Sequence, residues 1–116
     1  MKVKPVVLRA KAQQDIDEAM AYYLGEGGEA LALRLIDALE QATSHIARHP
    51  GTGSPRYGHE LNLPGLRSWP LKRFEHLLFY VEHEGHIDLW RVLHSRSDIP
   101  AWMNEPDAGS LPDPSA

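Results

Sequence analysis

The residues from Leu66 to Trp102, LRSWPLKRFEHLLFYVEHEGHIDLWRVLHSRSDIPAW, constrain the fold more than any other part of the chain. Side chains on a strand point alternately to its two faces, and this stretch alternates three times. Arg67, Trp69 and Leu71 alternate with Ser68, Pro70 and Lys72. Leu77, Phe79 and Val81 alternate with Leu78, Tyr80 and Glu82. Ile87, Leu89, Arg91 and Leu93 alternate with Asp88, Trp90, Val92 and His94. Glu84-Gly85 suits a two-residue hairpin turn between the last two. The middle strand is apolar on both faces, which predicts a central position, with helices covering one side of the sheet.

The helices precede it. Val3 to Leu8 reads as a short strand, with Pro5 at an edge because it lacks an N–H. Ala12, Ile16, Ala19 and Tyr23 then recur at helical spacing, with Met20 and Leu24 beside them and Gln13, Gln14, Asp17 and Glu18 facing away. Asp15, Asp17 and Glu18 suit the positive end of the helix dipole. Gly25-Glu26-Gly27-Gly28 ends this helix, since glycine accepts the left-handed cap. A second helix from about Glu29 to His49 carries Leu31, Leu35, Leu39, Ala42 and Ile46 on its core line, with Ile36 widening it. Pro50 stops it. The short link predicts an antiparallel helical hairpin. His49 to Gly65, rich in glycine and proline, predicts an ordered loop over the core.

The fold expected is therefore α+β: a helical hairpin packed on a twisted antiparallel sheet, with an N-terminal strand, two helices and three C-terminal strands. It occupies residues 1–103. The remainder, 104–116, reads as a disordered acidic tail, proline-rich and nearly free of large apolar residues. The net charge of −4 is concentrated there: Glu105, Asp107 and Asp113 supply −3, and the folded part is near neutral. Nucleic-acid binding relies on neutralising phosphates, so this balance argues against it. The apolar run at the start is too short for a secretory signal, and no run of about 18 apolar residues suggests a membrane span. The absence of cysteine excludes disulfides and thiolate chemistry, and fits a reducing cytoplasm.

Few motifs carry chemistry. His45 and His49 stand four apart, but the zinc-protease pattern needs Glu where Ile46 stands. His83 and His86 flank the hairpin turn without a closed ligand set, so no metal or other cofactor is expected. The loop Gly51 to Gly58 lacks the Gly-Lys-Ser/Thr ending of a phosphate loop. Ser95 and Ser97 beside His94 and Asp98 form no nucleophile elbow. What remains is a set of cations, Arg67, Lys72, Arg73, Arg91, His94 and Arg96. Arg91 interrupts an apolar strand between Trp90 and Val92, so it requires a partner or an open face. One reading is a cationic groove for phosphate or carboxylate. The other pairs Arg91 with Glu82 or Asp88 and leaves the rest solvated. Ile99 and Trp102 are expected to pin the chain end to the core.

Several segments, in order, resemble the RelE/ParE toxin superfamily, and within it the ParE-like toxins of type II toxin–antitoxin systems, the plasmid-stabilisation type. They are Asp15-Ile16-Asp17-Glu18-Ala19 with Tyr22-Tyr23, then Ile46-Ala47-Arg48-His49-Pro50-Gly51-Thr52-Gly53, then Leu71-Lys72-Arg73-Phe74 and Leu78-Phe79-Tyr80, and finally Trp90-Arg91-Val92-Leu93-His94 with Arg96-Ser97-Asp98-Ile99-Pro100. The resemblance implies a cytoplasmic toxin held silent in a hetero-oligomer by a ParD-like antitoxin. It implies either binding to DNA gyrase, without enzymatic activity, or ribosome-dependent cleavage of messenger RNA as in RelE. A non-toxic antitoxin-binding relic is a third possibility. For the nuclease, Arg91 would hold phosphate and His94 would shuttle protons, with Lys72 or Arg73 assisting. The terminal Tyr or His-Tyr pair of RNA-cutting members is replaced by His94-Ser95-Arg96, which favours the gyrase branch. Partner contacts are expected at Arg67, Arg73, Arg91, Arg96 and Trp102, with no membrane role.

Overall fold

The computed structural model describes residues 3–103; the expected acidic tail lies outside them. The chain runs β1 (Val6–Leu8), α1 (Ala10–Arg48), a 3-10 turn (Pro50–Thr52), α2 (Arg56–Glu60), β2 (Leu66–Pro70), β3 (His76–Glu82), β4 (Ile87–His94) and α3 (Ile99–Met103). The helical hairpin is present as two arms of α1, broken at Gly28, where φ is 71° and ψ is −165°. A side chain is strained in that conformation, which is why the break falls on glycine. None of the helices among the described residues is long and apolar enough to cross a membrane.

The strand order is β1-β4-β3-β2. β3 pairs antiparallel with both β2 and β4, as the antiparallel sheet expected from the sequence requires. β1 joins β4 in parallel, Val6 opposite Ile87 and Leu8 opposite Leu89, so the sheet is mixed. The physical reason is the hairpin: two helical arms and a loop separate β1 from the rest, enough chain for a parallel crossover. β3 is central, as expected, and β4 beside it is too.

Both faces of the sheet are covered, which differs from the expectation of one open face. On one side Ala12, Leu35, Ala38, Ala42 and Ile46 of α1 pack on Leu78, Tyr80, Ile87, Leu89 and Val92. On the other, Leu66, Phe79, Leu93 and Ile99 form a second cluster, joined by Tyr57, Leu61, Leu63, Trp90 and Met103. The loop after α1 is thus partly helical, and α2 and α3 cap the second face. Ile99 pins the chain end as predicted. Trp102 remains 43% exposed. On the first arm, Ala12, Ile16, Ala19, Met20 and Tyr23 face the core, whereas Leu24 is exposed.

The loop from Pro50 to Ser54 is fastened by Tyr80. Its hydroxyl donates to the Pro50 carbonyl at 2.7 Å and accepts from the Gly53 amide at 3.1 Å. Arg67 donates to the Gly53 carbonyl at 2.8 Å. A Cβ at Gly53 would meet the Tyr80 hydroxyl, so only glycine allows this approach. Burial pushes the Tyr80 phenol pKa above its ordinary value. Tyr80→Phe strands both loop groups; the expected loss is about 1–3 kcal/mol of unfolding free energy, read by urea titration.

Candidate functional site

The helix begins at Ala10, so its first turn holds no acidic residue. Asp15 therefore does not serve the dipole, as the sequence suggests, and its use is different. β1 stops at Leu8, and the Arg9 amide makes the next bond to β4, to the Leu89 carbonyl at 3.0 Å. Beyond that point β4 has no strand neighbour on this edge. Asp15 takes the strand's place: its Oδ2 accepts from the Val92 amide at 3.0 Å. The same carboxylate binds Arg91 in bidentate fashion, at 2.8 Å from Nε and 2.7 Å from Nη2. Arg91 Nη1 donates to the Trp102 carbonyl at 2.7 Å, and its guanidinium lies 5.5 Å from the Trp102 ring centroid.

Arg91 is thus buried, with Asp15 as its counter-ion; the alternatives Glu82 and Asp88 are both wrong. Glu82 is paired with Lys4 and Asp88 with Arg9. The β3–β4 ladder shifts register next to Arg91, with Phe79 opposite Arg91 and Tyr80 opposite Leu89. Trp90 is the extra residue of this bulge. Bulges re-aim side chains and increase local twist, and no period-two reading can locate one.

Asp15 lines a cleft of about 470 Å³ between the first arm of α1 and the end of β4, with Arg91 buried behind it. Glu18, Tyr22, Tyr23, Glu75, His76, His94 and Trp102 line it. His76 and His94 sit edge to face at 5.2 Å between centroids. His94 Nε2 is 3.4 Å from a Glu75 oxygen, and its Nδ1 accepts from the Arg96 amide at 3.0 Å. Burial, then the neighbouring His94, holds His76 below the ordinary histidine pKa, with Asp15 and Glu75 opposing more weakly.

The remaining cations lie elsewhere. β2 ends at Pro70, so the expected alternation does not reach Lys72 and Arg73. They occupy the β2–β3 turn, where Arg73 takes a positive φ of 70°. With Arg34 and Asp37 of the second arm they line another cleft, of about 320 Å³. It shares no lining residue with the first. The side chains of Arg34, Lys72 and Arg73 form no ion pair or hydrogen bond among the described residues. Arg96 is 81% exposed and touches Glu75 only at 3.9 Å. The residues grouped by sequence are therefore separated: His94 and Trp102 line one cleft with Arg91 buried beside it, Lys72 and Arg73 line another, and Arg67 holds the loop. Asp15, Arg34 and His76 join these places without a local sequence signal, because their partners are distant in the chain.

The histidine pairs have local roles. His45 stacks on Trp69 at 4.3 Å and bonds Thr52. His83 stacks on His86 at 4.8 Å.

Two outcomes follow from this geometry. Replacing Arg91 by Lys loses the fork and the ring contact; unfolding free energy is expected to fall by about 2–4 kcal/mol, measured by denaturant titration. His76 has a lowered folded pKa, so it stabilises the fold above the unfolded value of 6.5, and that contribution is lost as pH falls through the folded pKa. In melting curves across this acid range, His76→Phe should flatten the slope; an unchanged slope would refute the assignment.

The sequence profile of the family described as ParE toxin of type II toxin-antitoxin system, parDE, matches residues 6–99. Among solved structures, a chain of the chromosomal ParDE TA system from P. aeruginosa superposes with a TM-score of 0.66 at 19% identity. The match covers 79% of this chain and 96% of that one. At that identity the likeness shows the fold. Among proteins of curated function, none matches by sequence.

Proposed function

The chain belongs to the ParE toxin family of type II toxin–antitoxin systems, and we propose that it acts in the cytoplasm by binding DNA gyrase and is silenced by a ParD-like antitoxin. The observation that carries this reading is the engagement of Arg91. A nuclease of the RelE kind would need that guanidinium to stabilise a phosphate whose charge grows in the transition state. Here it is saturated by Asp15 and the Trp102 carbonyl. Releasing it would leave the Asp15 carboxylate buried without its counter-ion, at a cost of several kcal/mol. Lys72 and Arg73, the assisting cations of the nuclease reading, lie in a different cleft from His94. These facts favour a toxin that works by binding.

The antitoxin is the partner that a toxin of this family requires. For its acidic residues the supported landing place is the cleft of Arg34, Lys72 and Arg73, whose charges are uncommitted within the fold. Antitoxin segments that fold on binding present charged and apolar groups together, and Phe74 and Leu31 in the same cleft offer the apolar part. Arg96 and Trp102, both exposed, extend the proposed partner surface from the other cleft, while Arg67 and Arg91 support it from within.

Purified toxin is expected to inhibit gyrase supercoiling and to accumulate cleaved DNA, with the antitoxin restoring activity. Messenger-RNA cleavage in a translating extract with gyrase untouched would replace this reading with the nuclease. Normal growth on expression of the toxin alone would replace it with the relic. For the antitoxin site, the double variant Lys72→Glu/Arg73→Glu is expected to weaken affinity about tenfold at low salt by calorimetry. The difference should shrink as salt screens it; unchanged affinity would remove this cleft from the interface.

A further inference from the structure

We propose that the cleft above the Asp15–Arg91 pair is a receptor for a guanidinium group, an arginine side chain presented by a partner polypeptide. Its walls combine aromatic faces with carboxylates. Tyr22 and Trp102 are among the most exposed large apolar residues described, at 60% and 43%. Tyr23 and His76 stand behind them, their rings 5.9 Å apart. Glu18 and Glu75 supply charge at the cleft lining. Neither is firmly engaged: Glu18 accepts one bond from Gln14 at 3.2 Å, and Glu75 has only the distant His94 and Arg96, at 3.4 and 3.9 Å.

The molecule already uses this combination three times on its own arginines. Arg9 is bound by Asp88 and lies 4.4 Å from the Trp90 centroid. Arg56 is bound by Glu60 and lies 5.4 Å from the Tyr57 centroid. Arg91 joins Asp15 and Trp102 in the same way. In the cleft the acids and the rings are present, and among the described residues no guanidinium is held there by a close carboxylate fork: Glu18 has no ion pair, and Arg96 approaches Glu75 only to 3.9 Å. A planar guanidinium stacks on rings while its fork reaches carboxylates, which an ammonium does less well. The volume of about 470 Å³ accommodates a side chain with adjacent backbone. Glu18 and Glu75 disfavour a phosphate or an acidic side chain at the same place. The proposal goes beyond the toxin reading: it assigns the partner's basic residue to this cleft, whereas acidic residues go to Arg34, Lys72 and Arg73.

The test uses the full chain, labelled for magnetic resonance, and contains neither gyrase nor antitoxin, so its outcome is independent of theirs. The probes are a blocked Ala-Arg-Ala peptide, its citrulline counterpart of equal shape and no charge, and inorganic phosphate. The arginine peptide is expected to move the Trp102 indole and Tyr22 ring signals saturably, and the citrulline peptide to lose most of this. The variant Glu18→Gln/Glu75→Gln should bind about two- to fivefold more weakly, with Tyr22→Ala, at an exposed position, as a second variant expected to fold and to bind less. Equal shifts from the citrulline peptide, shifts of the same signals by phosphate, or no saturable shift at these residues would each overturn the proposal.

Discussion

A single carboxylate solves two problems at once in this fold. β1 is three residues long, so most of one edge of β4 is left without a strand. An unpaired, buried amide on such an edge is costly. Asp15, in the second turn of α1, supplies the acceptor. A buried carboxylate is itself costly unless it is neutralised and bonded, and Arg91 does both. The guanidinium then reaches the Trp102 carbonyl, so one interaction ties the helical hairpin, the sheet and the last helix together.

This constraint sorts the basic residues of the chain by role. Arg91 is held inside, Arg67 serves the loop that Tyr80 fastens, and Arg9 and Lys4 pair with Asp88 and Glu82 on β3, β4 and their turn. Among the described residues, the cations of the β2–β3 turn and Arg34 are left uncommitted beside one another. The partner surface we propose is consequently two separate clefts of different character rather than one basic strand face. One collects cations around an apolar floor, the other collects carboxylates around aromatic rings. A protein partner that is both acidic and basic fits such a surface better than a polyanion does, in keeping with the near-neutral charge of the folded part.

Much of the architecture was legible because it rests on periodicity. The line Leu35, Ala42, Ile46 and the alternation from Leu77 to Leu89 report local geometry directly, and the glycines from Gly25 to Gly28 mark the break between helical arms. What was hidden depends on partners far apart in the chain. Asp15 is 76 positions from Arg91, so its helical surroundings suggest a dipole role that the actual start of the helix rules out. The parallel pairing of β1 follows from the path of the chain, not from its three residues. The bulge at Trp90 shifts the register after Leu89, so alternation could not say where Arg91 goes. The short helices α2 and α3 are too brief to show a period, and their coverage of the second face went unseen.

The fold depends on the coupling of Asp15 and Arg91, and a double-mutant cycle measures it directly. Unfolding free energies would be compared for Asp15→Ala, Arg91→Ala and the double variant. Each single change is expected to cost about 3–5 kcal/mol, because each strands a buried charge. The double variant should lose clearly less than the two losses combined, since no charge is left unpaired. Losses that simply add to within about 0.5 kcal/mol would mean the two side chains act independently, and the structural role assigned to Arg91, with the case against its use in catalysis, would fall.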